Sequence, residues 1–440
     1  MKAAHFLSAA LLASGSVLVL HAQAPQGVET FDAAWTIVRD SHFDKSMNGV
    51  NWDAVRTELR PRAAAARTAS DVRAVVRDML GRLGQSHFAL IPSGTDTHAQ
   101  AGGNTDVSAD PGFEVRLVGR DLLVTSVDPT GPGAAAGVRP GWKLSAIGEA
   151  EVPRLLRDIG DGTADRLTNV EAWRTAETRL RGAVGSVVSL TLEDASGKPV
   201  TLSVERRPQQ GQPVTVGHMP TMFVRVDAAE RRTPAGGTAG VIRFNVWMAA
   251  VDALFQHAMD THRRADGIVV DLRGNPGGLA AMIMGISGHF VGERTPLGVM
   301  KTRDNELRFV ANPRLASARG ERVDVFAGPV AILVDALTGS ASECFAGGMQ
   351  SIGRARVFGQ TSMGQALPAL FDRLPNGDVL IHAYGDFVTA DGTRLEGRGV
   401  IPDEIVPLRR DELLAGRDRP LEAALEWIDR ARGRSWLHQP

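Results

Sequence analysis

Strand-like and helical runs alternate from residue 236 to about residue 410, and this alternation restricts the fold more than any other feature of the chain. In order, the runs are Ala239 to Phe244, Val251 to Arg263, Gly267 to Leu272, Leu279 to Phe290, Val330 to Val334 and Ser342 to Ile352. Strands separated by helices pair in parallel, because each helix carries the chain back to the same end of the sheet. An α/β layer is therefore expected here. Two strand-to-helix junctions in this unit are rich in small residues: Asp271-Leu272-Arg273-Gly274-Asn275-Pro276-Gly277-Gly278 and Gly339-Ser340-Ala341-Ser342-Glu343.

With 440 residues, the chain is too long for one ordinary core. Residues 28 to about 92 read as helical. Phe31, Trp35 and Val38 recur at helix spacing, with Thr30 as a cap. Trp52, Val55 and Leu59 repeat the pattern, and Asp71 to Leu83 gives a third amphipathic run capped near Ser70 or Asp71. Gly84 fits a helix C-cap just before Ser86-His87. Residues 93 to 108 are rich in Gly, Thr, Ser and Asp and read as a linker. Residues 109 to about 207 form a second unit. It has strands at 113–118 and 122–127, a short helix from Ala134 to Val138, and a turn at Arg139-Pro140-Gly141-Trp142. The stretch from Arg154 to Arg181 reads as an inserted helix, and Pro420 to Arg432 as a closing one.

Charge narrows the function classes. Forty-nine basic and 50 acidic side chains give a net charge of -1, with no electrostatic footprint for nucleic acid or an anionic membrane. Cys344 is the only cysteine, which excludes an intrachain disulfide and a cysteine-based zinc site. Lys2, an apolar run from Phe6 to Leu20 and Ala22-Gln23-Ala24 fit a secretory signal peptide over residues 1–24. Periplasmic or extracellular export is expected. No later run is long and apolar enough to span a bilayer.

Four local patterns carry chemistry. A serine at a strand-to-helix turn, as in Gly339-Ser340-Ala341-Ser342-Glu343, faces exposed amides that can stabilise an oxyanion; plain loops also contain such runs. The glycine-rich 271–278 turn leaves amides free and lets another backbone approach, as a phosphate loop would, but it has no Gly-Lys-Ser/Thr ending. Ser86-His87 offers a base, although a lone histidine is more often structural. Glu396, in Leu395-Glu396-Gly397-Arg398-Gly399-Val400, would by itself pass for a surface turn carboxylate.

Taken together, these patterns resemble the catalytic domain of C-terminal processing peptidases and tricorn-like peptidases, a serine peptidase family with a ClpP/crotonase-like α/β catalytic domain. Gly353-Arg354-Ala355, Gly359-Gln360-Thr361 and Gly399-Val400-x-Pro402-Asp403 extend the likeness. Trp35, Gly49-Val50-Asn51-Trp52 and Leu83-x-x-Ser86-His87 look like the cap of the tricorn-like branch. The second unit resembles a PDZ domain, which would hold a peptide C-terminus near Gly112 and Phe113. The processing-peptidase branch uses a Ser-Lys dyad, but Gln365 stands where that lysine would be, and an amide does not titrate usefully. The resemblance therefore implies the tricorn-like tetrad: Ser340 as nucleophile, His87 as base, and Ser86 and Glu396 orienting it. The amides of Gly278 and Ala341 would form the oxyanion hole.

The resemblance implies no cofactor and no metal, with proteins or peptides as substrates. The expected organisation is a signal peptide (1–24), a helical cap (25–92), a PDZ-like β-domain (109–207), an α/β peptidase domain (236–410) and a C-terminal helix and tail (411–440). With His87 as base, the acid limb of activity is expected near 6.5, or somewhat higher beside Glu396. The competing expectation is a non-catalytic ligand-binding or scaffold protein on the same fold.

Overall fold

A computed structural model describes residues 27–93, 108–159, 166–217 and 221–437; the expected signal peptide and most of the 93–108 linker lie outside them. The third unit is built on a six-stranded sheet. Its strands follow chain order: Val226–Arg232, Thr238–Phe244, Gly267–Asp271, Val330–Val334, Arg356–Gly359 and Glu404–Ile405. The first pair is antiparallel and every later pair is parallel. Gly267–Asp271 and Val330–Val334 are buried along their whole length, because both faces of the sheet are covered. Alternate side chains go to opposite layers. Ile268, Val270, Val330, Ile332 and Val334 pack with the helices Ala249–His262 and Ala341–Ser351. Val269, Ala331 and Leu333 pack against Ala424, Trp427 and Ile428 of the closing helix Arg419–Ala431.

The expected helix from Leu279 to Phe290 is shorter, Met282–Ser287. Its first residues are used elsewhere: Gly278 forms a parallel bridge with Trp247, and the Leu279 N–H donates to the Trp247 carbonyl at 2.7 Å. Two antiparallel sheets were not legible in sequence. One orders Glu306–Ala311, Thr295–Thr302 and Gly385–Thr389; the other contains the hairpin Ala369–Arg373 and Val379–Ala383.

That hairpin fixes the N-terminal unit. Three helices, Gly27–Ser41, Trp52–Ala65 and Ala69–Gly81, bury Phe31, Trp35, Leu59, Val76 and Met79 in one cluster, which also takes in Leu374 and Leu380 of the hairpin. The strand Ala89–Ile91 then pairs antiparallel with Val379–Ala383. Asp378, fully buried at the hairpin turn, accepts two bonds from Arg73 (2.9 and 2.8 Å) and one from the Ser93 N–H (2.6 Å). The helix caps differ from expectation. Thr30 lies inside the first helix, with its buried hydroxyl unpartnered. Asn51 caps the second helix, and Thr68 with Asp71 forms a capping box on the third.

The second unit is an antiparallel sheet of Phe113–Val118, Asp121–Val127, Lys143–Ile147, Val187–Glu193 and Pro199–Glu205, with Ala150–Glu151 paired beside it. The expected single inserted helix is two, Val152–Ile159 and Arg166–Leu180. Phe113–Val118 is an edge strand, and a groove of about 520 Å³ beside it is lined by Gly112, Phe113, Trp173 and Arg225, among others.

Candidate active site

Ser340 sits between the strand Val330–Val334 and the helix Ala341–Ser351, with φ 53° and ψ -120°. A side chain at positive φ is strained unless its surroundings impose it. Among the described residues only four non-glycine residues have positive φ, and two of them are Ser340 and His87 (φ 59°). The two groups expected to react are thus both strained; the other two positions, Met47 and Asn48, share one turn of the N-terminal unit. Gly277 (φ 104°) lies directly beneath the turn: a Cβ there would come within 2.6 Å of the Ser340 Cβ. This close approach is why the 271–278 turn needs glycine at that position.

The Gly278 N–H and the Ala341 N–H make no hydrogen bond within the described residues, while their neighbours do. The Gly277 N–H donates to Asn275 Oδ1 (3.0 Å), and the Ser342 N–H to the Gly339 carbonyl (3.0 Å). Two free amides beside a serine are what a developing oxyanion requires.

The cap delivers His87 two residues before the strand that pairs with the hairpin. Ser86 and Glu396, 310 positions apart, are joined twice: the Ser86 N–H donates to Oε1 at 3.0 Å and the Ser86 hydroxyl to Oε2 at 2.9 Å. Ser86 Oγ also lies 2.8 Å from His87 Nδ1. A hydroxyl has one proton, and here it goes to the carboxylate. Ser86 Oγ can therefore only accept from Nδ1–H, which leaves Nε2 bare and basic. Ser340 is tied to the same place from the other side. Its N–H donates to the Gln365 carbonyl at 2.9 Å, and the next residue, Ala366, donates its N–H to Glu396 Oε2 at 2.9 Å. No hydrogen bond joins the Ser340 hydroxyl to the imidazole among the described residues.

His87 does not set the acid limb expected near 6.5 or above. Desolvation pushes the His87 pKa down to about 4. Glu396 does not touch the ring; the Ser86 hydroxyl stands between, and burial sets the direction of the shift.

Gly112 and Phe113 both line the groove of the second unit. The Gly112 N–H, however, is already taken by Asp110 Oδ1 at 2.9 Å, and Pro111 has no N–H to offer. Sequence reasoning did not single out Glu343. Its signal was present: Ser340-x-x-Glu343 is the spacing of a capping box. The Ser340 N–H does donate to Glu343 Oε2, at 3.0 Å.

The chain is similar to known peptidases along most of its length. The sequence profile described as peptidase family S41 matches residues 238–406, and that of the tricorn protease C1 domain matches residues 28–81. The carboxyl-terminal-processing protease of a Picosynechococcus species is 26% identical over 382 residues, spanning 85% of this chain and 82% of the relative. Tricorn protease homolog 1 of Streptomyces coelicolor is 25% identical over 411 residues, 90% of this chain but 34% of that protein. The photosystem II D1 C-terminal processing protease shares the fold, with a TM-score of 0.57 at 21% identity over 91% of this chain and 97% of that one. By these matches the chain is a serine-type peptidase whose residues 238–406 carry the family S41 profile and whose residues 28–81 carry the tricorn C1 profile.

Proposed function

We propose that this chain is an exported peptidase that cleaves peptide bonds with Ser340 as nucleophile and His87 as general base, held by Ser86 and Glu396. The observation that carries the reading is the Ser86–His87–Glu396 relay, assembled from two units more than 300 residues apart in sequence. His87 Nε2 takes the Ser340 proton as Oγ attacks the scissile carbonyl. The Gly278 and Ala341 amides receive the oxyanion. The same proton passes to the leaving amine, the acyl-enzyme forms, and water activated by Nε2 releases the acid and restores Ser340. Ser86 and Glu396 fix the tautomer and stabilise the imidazolium, as the buried Asp does in an ordinary triad, one hydroxyl further out. Substrate approach completes the contact between Ser340 Oγ and Nε2.

Export rests on Lys2, the apolar run to Leu20 and Ala22-Gln23-Ala24. The second unit recruits substrate C-termini by strand addition along Phe113–Val118, an open edge. The test is labelling by a serine-directed fluorophosphonate at pH 8. The parent should label at Ser340, and Ser340→Ala should not. A folded parent that stays unlabelled would leave the non-catalytic binding reading standing.

A further inference from the structure

Glu343 has no accessible surface, yet it is an acidic residue one helical turn from the proposed nucleophile. Each of its oxygens accepts two hydrogen bonds. Oε2 takes the N–H of Ser340 and the N–H of Gln365, both at 3.0 Å. Oε1 takes the Ser362 hydroxyl at 2.5 Å and the Gly364 N–H at 2.6 Å. Three of these four donors are backbone amides, which cannot reverse their role. Ser362 in turn accepts the Val400 N–H at 2.6 Å and donates its own N–H to the Val400 carbonyl at 3.1 Å. Val400 closes the loop that carries Glu396, and the Gly397 N–H of that loop donates to the Gly364 carbonyl at 2.9 Å. One side chain thus touches the nucleophile's own backbone and the 362–366 segment, and through Ser362 it reaches the Glu396 loop.

We propose that Glu343 is the positioning residue of this active site: its carboxylate locks the strained turn at Ser340 to the segment that seats Glu396, so that nucleophile and base relay keep one register. The inference rests on the reading of Ser340 as nucleophile. Ser340 at φ 53° needs an imposed conformation, and its N–H is held from two sides, by Glu343 Oε2 and by the Gln365 carbonyl. The adjacent Cys344 thiol is buried and feels the carboxyls of Glu343, Asp386 and Glu396, and no cation is among the hydrogen-bond partners of Glu343. Burial pushes Glu343 up to about 7, outweighing the Ser362 hydroxyl and the Gly364, Ser340 and Gln365 amides that pull it down. Charge-assisted bonds to three amides therefore weaken on acidification well before the base, lowered to about 4, takes a proton.

The experiment follows fluorophosphonate inactivation rates from pH 5 to 9 in the parent, Glu343→Gln and Ser362→Ala. The parent rate should fall on the acid side with a midpoint near 7. Glu343→Gln keeps the shape but turns one acceptor oxygen into an NH2 group facing donors. It should lose about ten- to a hundredfold at pH 8, and the limb near 7 should vanish. Ser362→Ala should lose less and keep the limb. Hydrogen exchange gives a readout independent of reactivity: in Glu343→Gln, peptides covering 339–345 and 362–366 should exchange faster together. A Glu343→Gln protein with the parent's limb and rate, or with unchanged exchange in both segments, overturns the proposal. An unlabelled parent with coupled exchange intact would count against Ser340 as nucleophile and leave the positioning role supported.

Discussion

At the scale of single residues, the site turns on which groups carry protons. His87 is neutral at working pH because burial holds it at about 4, and the Ser86 hydroxyl, committed to Glu396, directs its lone pair to Nε2. His87→Ala should cost about three or more orders of magnitude in labelling rate. Gln365→Ala should cost at most about tenfold, since both bonds that Gln365 makes to Glu343 and Ser340 come from its backbone and survive. A dead, folded Gln365→Ala beside an active His87→Ala would reverse the assignment. Stability should show a separate pH signature. The folded pKa of His87 lies below the unfolded value of about 6.5, so the unfolded chain binds the extra proton first. Stability from this group is complete above about 6.5 and is lost as pH falls towards about 4. Glu343 runs the other way: its raised pKa costs stability above about 7, and that cost is relieved on acidification towards about 4.5. The two partly cancel, so thermal melting should vary less between pH 7 and 5 in the parent than in Glu343→Gln, where only the His87 loss remains.

At the scale of elements, short-range pattern and long-range pairing divide the work. The helices of the cap and the parallel strands follow from periodicity: Phe31, Trp35 and Val38 face one cluster, and Ile268 and Val269 face opposite layers. The hairpin Ala369–Arg373 and Val379–Ala383 has no such signature, yet it docks the cap and so places His87. Asp378→Ala would leave the partly buried Arg73 unpaired and should weaken docking by about 3–5 kcal/mol. Faster hydrogen exchange across residues 27–93, with reduced labelling at Ser340, would show it; unchanged exchange would count against the hairpin as anchor. In the second unit, Asp110 holds the amide that a substrate carboxylate would need. Asp110→Ala should therefore tighten binding of a peptide with a free C-terminus and leave its amidated form unchanged, as read by fluorescence anisotropy. Equal effects on both forms would mean that the groove does not read the terminus.

At the scale of the whole molecule, a buried ionic chain joins the second unit to the catalytic one. Arg116 Nε donates to Asp335 Oδ2 at 2.8 Å, and Asp335 Oδ1 accepts the Gly274 N–H at 2.9 Å on the turn that leads to Gly277 and Gly278. Glu114 accepts from Arg243 at 2.8 Å beside it. Breaking one partner of a buried pair strands the other, so Arg116→Met should lower stability by about 3–5 kcal/mol, seen as an earlier unfolding midpoint. Adding Asp335→Asn should recover part of that loss, because the stranded charge is gone; a double variant less stable than Arg116→Met alone would refute the account. The chain by itself determined the α/β layer, the N-terminal helices, the Ser340 turn with its glycine partner, and the absence of a lysine at position 365. Each of these is written in local periodicity or in residue types at fixed spacing, which sequence preserves. Only the tertiary structure decided that Ser86 and Glu396 meet, that Asp110 occupies the Gly112 amide, that Glu343 binds four donors, and that His87 is pushed down rather than up. Those outcomes depend on which distant segments bury one another, and on how much water they exclude, and neither quantity is local to any run of residues.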